Sequence, residues 1–356
     1  MKERFLAAEF WLLLPVVALV TYSFAVFLSN HPLSSRSLDY PDWRKIHRQP
    51  VPRVGGVAVC LAFWIFFLYY YGWRLSPAWQ GLFAGAGSVF VLGLIDDHFR
   101  LSPWIKLLAQ IGAAVLAWFM GLRVTTITGL AGGVVNLEFW SLPVTILWLV
   151  AVTNAINLID GLDGLAAGTA LVALLTIGAS AWFGGREQVT GPALLLAAVL
   201  AGFLPRNFYP ARIFLGDCGS YFLGFMVAGL AVIGLGKRAT LISLLSPVVV
   251  LGIPIFDTLF AVFRRLRTGK PVFAPDNSHL HHLILRQGLS HPRAVVIIYI
   301  LNLFLALCAV TLTVLSLTRA LFLCGFVFAS LLFLGMKLEK ATAGKGKMGQ
   351  ETGTFC

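Results

Sequence analysis

The sequence predicts an all-α integral membrane protein, a polytopic bundle of about 10–11 transmembrane helices with its polar site on the cytoplasmic face. Three observations predict it. First, of 356 residues 58% are hydrophobic and only 12% charged, whereas soluble domains are about a quarter charged. So much apolar surface cannot be hidden in a soluble chain of this length, so the excess faces lipid. Second, apolar runs of about 17–25 residues, long enough to cross a bilayer, recur along the whole chain. Third, charge is sorted by side, as membrane topology requires.

The expected spans are 7–29, 55–73, 77–95, 103–121, 141–158, 164–183, 191–205, 219–235, 240–263, 293–316 and 319–336. The first is too long for a signal-peptide core and has no convincing cleavage site, so it reads as a retained helix. The runs are rich in Gly and Ala, as packed membrane helices are. They leave no room for a soluble domain of useful size, and there is no internal repeat or low-complexity tract. Residues 1–340 read as one membrane domain and 341–356 as a short, basic, disordered cytoplasmic tail. The five cysteines lack CxxC spacing and lie mostly in apolar segments, so they read as small core residues.

With the N-terminus outside, 19 of the 27 Lys and Arg residues fall on one side, in the loops at 30–54, 96–106, 206–218 and 264–293 and in the tail. That side is cytoplasmic by the positive-inside rule, which puts the C-terminus inside as well. Asp96, Asp97, Asp160, Asp163, Asp217, Asp257 and Asp276 fall at or near the same side. An aspartate at mid-membrane depth costs about 2.5–3.5 kcal/mol on the insertion scale, so such acids face polar cavities. Five of them at three separate helix ends on one face point to a shared site.

Taken in order, the first polar segment is DWRKIHRQPVPRVGG (42–56). The positive-inside signal accounts for Arg36 and Arg53, but less well for the dense cluster of Arg44, Lys45, His47 and Arg48. GLIDDHFRLSPWIK (93–106) ends a span on two adjacent acids, on the unfavourable side of the helix dipole. Neighbouring helical residues point about 100° apart, so both serve one site only near a helix end or with different partners. Lys106, nine positions on, can snorkel to the interface or hold a phosphate. NAINLIDGLDG (154–164) places Asn154, Asn157, Asp160 and Asp163 three apart. Three such steps turn a helix by roughly 180°, so Asn154 and Asp163 cannot face one cavity unless the helix breaks. Gly161 and Gly164 supply the break, and Asn154 is expected to stay outside the pocket.

LPRNFYPARIFLGDCGSYFLGF (204–225) sets Asp217 at a helix N-terminus, where it reads either as a cap or, with Asn207, Arg212 and Phe214 nearby, as part of the site. Carboxylate and amide oxygens suit Mg²⁺. PDNSHLHHLILRQGL (275–289) brings His279, His281 and His282 after a basic run. No cysteine partner or HExxH spacing supports zinc there, and phosphate contacts fit better. Acids for a cation and basic groups for phosphate oxygens together match a metal-bound diphosphate substrate. An ion-coupled transporter also places acids in membranes, but it predicts mid-membrane acids and repeat symmetry, and the sequence has neither.

Five segments, RKIHRQPVPRVGG, GLIDDHFRLSPWIKLL, NAINLIDGLDGLAAG, NFYPARIFLGDCGS and HLHH, resemble in order the polyprenyl-phosphate N-acetylhexosamine-1-phosphate transferase superfamily (glycosyltransferase family 4 type). The HLHH form is most similar to the undecaprenyl-phosphate GlcNAc-1-phosphate transferase branch. The resemblance implies a Mg²⁺-dependent enzyme, with Mn²⁺ as a substitute, that moves HexNAc-1-phosphate from a UDP-sugar to undecaprenyl phosphate and releases UMP. GlcNAc is the first donor sugar; FucNAc, QuiNAc and MurNAc-pentapeptide are alternatives. It also implies roles by position. Asp96 and Asp97 match the essential acid pair at the acceptor phosphate, and Asn157 and Asp217 the metal ligands. Asp160, Asp163, Asn207 and Phe214 match the nucleotide-sugar side, with Phe214 placed to stack on uracil. Lys106, His279, His281 and His282 match phosphate or sugar contacts, and Lys45 is the substrate-binding candidate of the first basic loop. The expected partners are the UDP-sugar, the lipid phosphate and the membrane, with no nucleic acid and a homodimer as the oligomer considered. DNS before the histidines departs from relatives that carry a basic residue after the Asp.

Overall fold

The computed structural model of the chain describes residues 8–31, 37–40, 50–128, 134–235 and 287–312, with isolated positions between 252 and 333. Among these residues there are nine complete α-helices. They are α1 (Ala8–Asn30), α2 (Gly55–Tyr71), α3 (Pro77–Phe99), α4 (Pro103–Phe119), α5 (Ser141–Leu158), α6 (Leu165–Phe183), α7 (Glu187–Asn207), α8 (Gly216–Leu235) and α9 (His291–Leu312). Seven helices among the described residues are long and apolar enough to cross a membrane, and α2 and α4 are shorter apolar helices of 17 residues each. The protein is therefore an all-α, multi-pass membrane protein. The expected span at 240–263 lies almost wholly outside the described residues, and about half of the span at 319–336 does.

Local chemistry sets the helix ends. Pro77 and Pro103 stand in the first turns of α3 and α4, where a missing N–H costs nothing. Ser102 caps α4 by accepting the Ile105 N–H. Helix α3 runs on to Phe99, past the limit of 95 that hydropathy sets, and stops where Arg100 turns left-handed at φ 49°. Asp96 and Asp97 therefore sit on its last turn and not in a loop. Helix α5 ends at Leu158, and α6 begins after Gly164, whose φ of 80° suits glycine.

Helix α8 is the hub and is almost wholly buried. It packs against α2, α3, α5 and α6, while α1, α4, α7 and α9 complete the outer ring. Three glycines let backbones meet there. A Cβ on Gly56 of α2 would lie 2.3 Å from the Gly219 nitrogen, one on Gly93 of α3 2.3 Å from the Cys218 Cα, and one on Gly224 of α8 2.6 Å from the Thr153 Cα. Small residues at such crossings are how membrane helices gain packing contacts without a hydrophobic drive. Leu12, Leu19, Ile65, Leu108 and Leu147 point outward, as lipid-facing residues should.

Two short antiparallel ladders complete the described fold. β1 (Leu38–Asp39) pairs with β2 (Val51–Pro52), and β3 (Thr126–Thr128) pairs with β4 (Val134–Asn136). The first frames the basic loop. At the end of the bundle away from the aspartates, Trp73, Phe119, Phe139, Trp140 and Phe183 are exposed. They form the kind of aromatic girdle that marks a membrane–water interface.

Candidate active site

The site begins with backbone. Residues 52–56 run beside 212–216. The Phe214 N–H donates to the Pro52 carbonyl, and the Gly55 and Gly56 N–H groups donate to the Phe214 and Leu215 carbonyls. This stitches the basic loop to the start of α8 and fixes where Asp217 emerges.

Asp97 then closes the N-terminus of α8. Its Oδ1 accepts the Asp217 N–H at 3.0 Å and its Oδ2 the Cys218 N–H at 3.1 Å. These are orphan amides of the first helical turn, and a carboxylate there also meets the positive end of the dipole. The cap thus comes from α3, 120 residues away in sequence, and Asp217 does not have to supply it. Its side chain projects instead into the polar cluster, 22% exposed.

There Asp217 meets α5 and α4. The Asn157 amide nitrogen donates to Asp217 Oδ1 at 3.0 Å and to Ser220 Oγ at 2.9 Å. The carbonyl oxygen of Asn157 is the atom left for a cation. Lys106, in the first turns of α4, forms an ion pair with Asp96 and lies 3.8 Å from Asp217 Oδ2. Asp96 is 2% exposed. It also accepts the Leu101 N–H at 2.8 Å and the Tyr221 hydroxyl at 3.4 Å. A carboxylate this deep needs such partners. Arg53 approaches Asp97 at 3.9 Å. Burial works against its guanidinium, but Asp217, Asp97, Asp39 and Asp160 outweigh that and hold it more firmly protonated than usual. Burial pushes the Asp160 carboxyl up to about 7; Arg53 opposes this, and Asp217, Asp97 and Asp163 add to it.

The structure thus brings Asp96, Asp97, Lys106, Asn157 and Asp217 together from four helices, with Asp160 in the same electrostatic field. Three other candidates serve the surrounding loops. Asp163 Oδ2 accepts the Ala211 N–H, and its own N–H donates to His291. Asn207 is buried and spans its own loop by donating to the Ile213 carbonyl at 2.9 Å. Phe214 is half-buried beside the strap at 52–56. Asn154 turns away from the cluster and donates to Gln110 and to the Val150 carbonyl, as the helical arithmetic requires. Lys45, His279, His281 and His282 lie outside the described residues.

Sequence reasoning missed Arg53, Ser220, Tyr221 and His291. Ser220 and Tyr221 follow Asp217 at i+3 and i+4, a spacing that signals a shared helix face. Arg53 was absorbed into the positive-inside signal. His291 becomes visible only through contacts across 128 residues.

Comparison with known proteins shows which family the chain resembles. The model of the family described as glycosyl transferase family 4 matches residues 79–235. A probable undecaprenyl-phosphate N-acetylglucosaminyl 1-phosphate transferase from Bacillus subtilis (strain 168) is 38% identical over 304 residues, covering 85% of this chain and 84% of its own. A decaprenyl-phosphate N-acetylglucosaminephosphotransferase from Mycolicibacterium smegmatis is 34% identical, covering 80% and 77%. The undecaprenyl-phosphate alpha-N-acetylglucosaminyl 1-phosphate transferase of Escherichia coli (strain K12) is 30% identical, covering 73% and 72%.

Proposed function

The chain belongs to glycosyl transferase family 4, and from that premise we propose that it transfers HexNAc-1-phosphate, GlcNAc-1-phosphate first, from a UDP-sugar to undecaprenyl or another polyprenyl phosphate. UMP leaves, and the product starts a cell-surface glycan. The relatives' names support the lipid phosphate and the sugar. The observation that carries the reading is the meeting of Asp217, Asn157, Asp96 and Lys106 at one end of the bundle.

The donor set fits Mg²⁺. It offers hard oxygens from one partly open carboxylate and one amide, and among the described residues no three His, Cys, Asp or Glu side chains close around a cation. Mg²⁺ is bound through one or two carboxylates together with substrate phosphates and water. Asp217 and Asn157 would hold it. Bound there, it supplies neutralisation of the diphosphate charge.

The chain's own residues do the rest. Lys106, already between two carboxylates, turns its ammonium to phosphate oxygens as substrate enters. Asp96 orients that lysine on the acceptor side. Asp97 acts as a positioning residue through the N-terminus of α8. Asp160 and Asp163 belong to the donor side. A lipid-phosphate oxygen bonds to the donor's β-phosphorus while the bond to the bridging oxygen breaks and UMP departs. Phosphoryl transfer asks mainly for positioning and charge stabilisation, which this cluster provides. The positive-inside bias supports an active site on the cytoplasmic face.

A donor panel tests the reading. Purified protein, polyprenyl phosphate and Mg²⁺ are incubated with UDP-GlcNAc, UDP-FucNAc, UDP-QuiNAc or UDP-MurNAc-pentapeptide, and UMP is measured. UDP-GlcNAc is expected to give the highest rate. A higher rate with another sugar reassigns the donor, and no UMP from any of them overturns the activity.

A further inference from the structure

Helix α9 is fastened to the turn at 160–164 and to α6 by polar contacts that the reaction above does not use. The Asp163 N–H donates to His291 Nε2 at 3.0 Å. The Tyr299 hydroxyl donates to the Gly164 carbonyl at 2.5 Å, and the Asn302 amide to Thr169 Oγ1 at 2.9 Å. Positions 291, 299 and 302 fall on one face of the helix, so a single surface of α9 makes all three bonds. A side chain at Gly168 would collide with the Tyr299 ring, so α6 leaves room for it.

His291 sits where three segments meet. It is 8% exposed. Its ring lies 5.0 Å from the Tyr209 ring. From the other side, Asp163 Oδ2 holds the Ala211 N–H at 3.0 Å. The turn at 160–164, the loop at 208–211 and the start of α9 therefore close around one histidine and one aspartate. Accepting at Nε2 requires a neutral ring with its proton on Nδ1. Among the described residues Nδ1 has no partner, so the Nε2 bond alone ties this ring to the turn.

We infer that His291 is a positioning residue for the donor nucleotide-sugar: its Nε2 holds the Asp160–Asp163 turn in the conformation that receives the UDP-sugar. The inference rests on the assignment of that turn to the donor side. A histidine that merely packed α9 against α6 would affect stability and both substrates alike. One that sets the turn affects the donor selectively.

The experiment measures KM for UDP-GlcNAc and for polyprenyl phosphate separately, in wild type, His291→Leu and His291→Gln. Gln carries an oxygen about where Nε2 stands, and Leu carries none. His291→Leu is expected to raise the UDP-GlcNAc KM about tenfold, the upper range for one lost hydrogen bond, with the lipid KM unchanged. His291→Gln is expected to restore donor binding. An unchanged donor KM in His291→Leu, an equal rise in both KM values, or no rescue by Gln overturns the inference. Should His291→Leu fail to insert, His291→Gln against His291→Asn carries the same test, because the shorter Asn cannot reach the Asp163 N–H. Equal donor KM values in that pair also overturn the inference. A wild-type protein with no UDP-sugar turnover refutes the functional reading instead.

Discussion

Asp217 depends on its neighbours for its place: Asp97 secures its backbone N–H and Asn157 its carboxylate. Replacing Asp217 by Ala is expected to cut UMP release by about a hundred- to a thousandfold, the scale of losing a central electrostatic group, while the protein still inserts and elutes as one species. A near-normal rate at limiting Mg²⁺ would remove Asp217 from the metal site. Lys106 gives a second test. Lys106→Met strands the buried Asp96 carboxylate and should cost about 3 kcal/mol, read as a lower melting temperature in detergent. Adding Asp96→Asn should recover most of that stability but none of the activity; recovery of turnover would show that the pair is only structural. At this scale the sequence was legible where a polar residue interrupts an apolar run, as at Asn157 and Asp217. It was not legible for Arg53, because topology alone accounts for basic residues in cytoplasmic loops. Nor did it foretell that Asp97 caps α8, since the adjacent acids differ only in which distant groups they meet.

At the scale of elements, the site is the N-terminus of α8 pressed between α2 and α3. Gly93 of α3 approaches α8 as closely as Gly56 of α2 does, and a Cβ there would lie 2.3 Å from the Cys218 backbone. Gly93→Ala is therefore expected to lower stability by about 1–3 kcal/mol and to reduce turnover by shifting Asp217. Gly87→Ala, in the same helix but with nothing within 4 Å of the added methyl, should be neutral or stabilise by up to about 1 kcal/mol. Paired thermal melts and UMP assays check this; equal effects at the two positions would contradict the close-packing account. Hydropathy located the helix bodies, because lipid selects apolar length. It misjudged the ends of α3, α7 and α8, which continue into polar residues held by caps and carboxylates. The break after α5 was readable because Gly164 must adopt a conformation that other residues avoid.

At the scale of the molecule, the aspartates gather at one end of the bundle, and exposed aromatics stand at both ends, Phe99 and Trp104 near the aspartates and Trp73, Phe119 and Trp140 opposite. With the basic bias on the aspartate side, this predicts that green fluorescent protein fused to the C-terminus fluoresces in the cytoplasm and that a periplasmic reporter there stays silent. The opposite pattern would invert the topology. Membrane class and the order of the described helices were legible because composition and hydropathy patterning are global properties. The central position of α8 was not, since its hydropathy resembles that of its neighbours while its burial does not. The most direct measurement of the whole account is UMP release and lipid-linked sugar formation by the purified protein with UDP-GlcNAc, undecaprenyl phosphate and Mg²⁺. The account predicts equal amounts of both products, stopped by EDTA, restored by excess Mg²⁺ and lost in Asp217→Ala. No UMP from the wild-type protein, or equal turnover by Asp217→Ala, would contradict it.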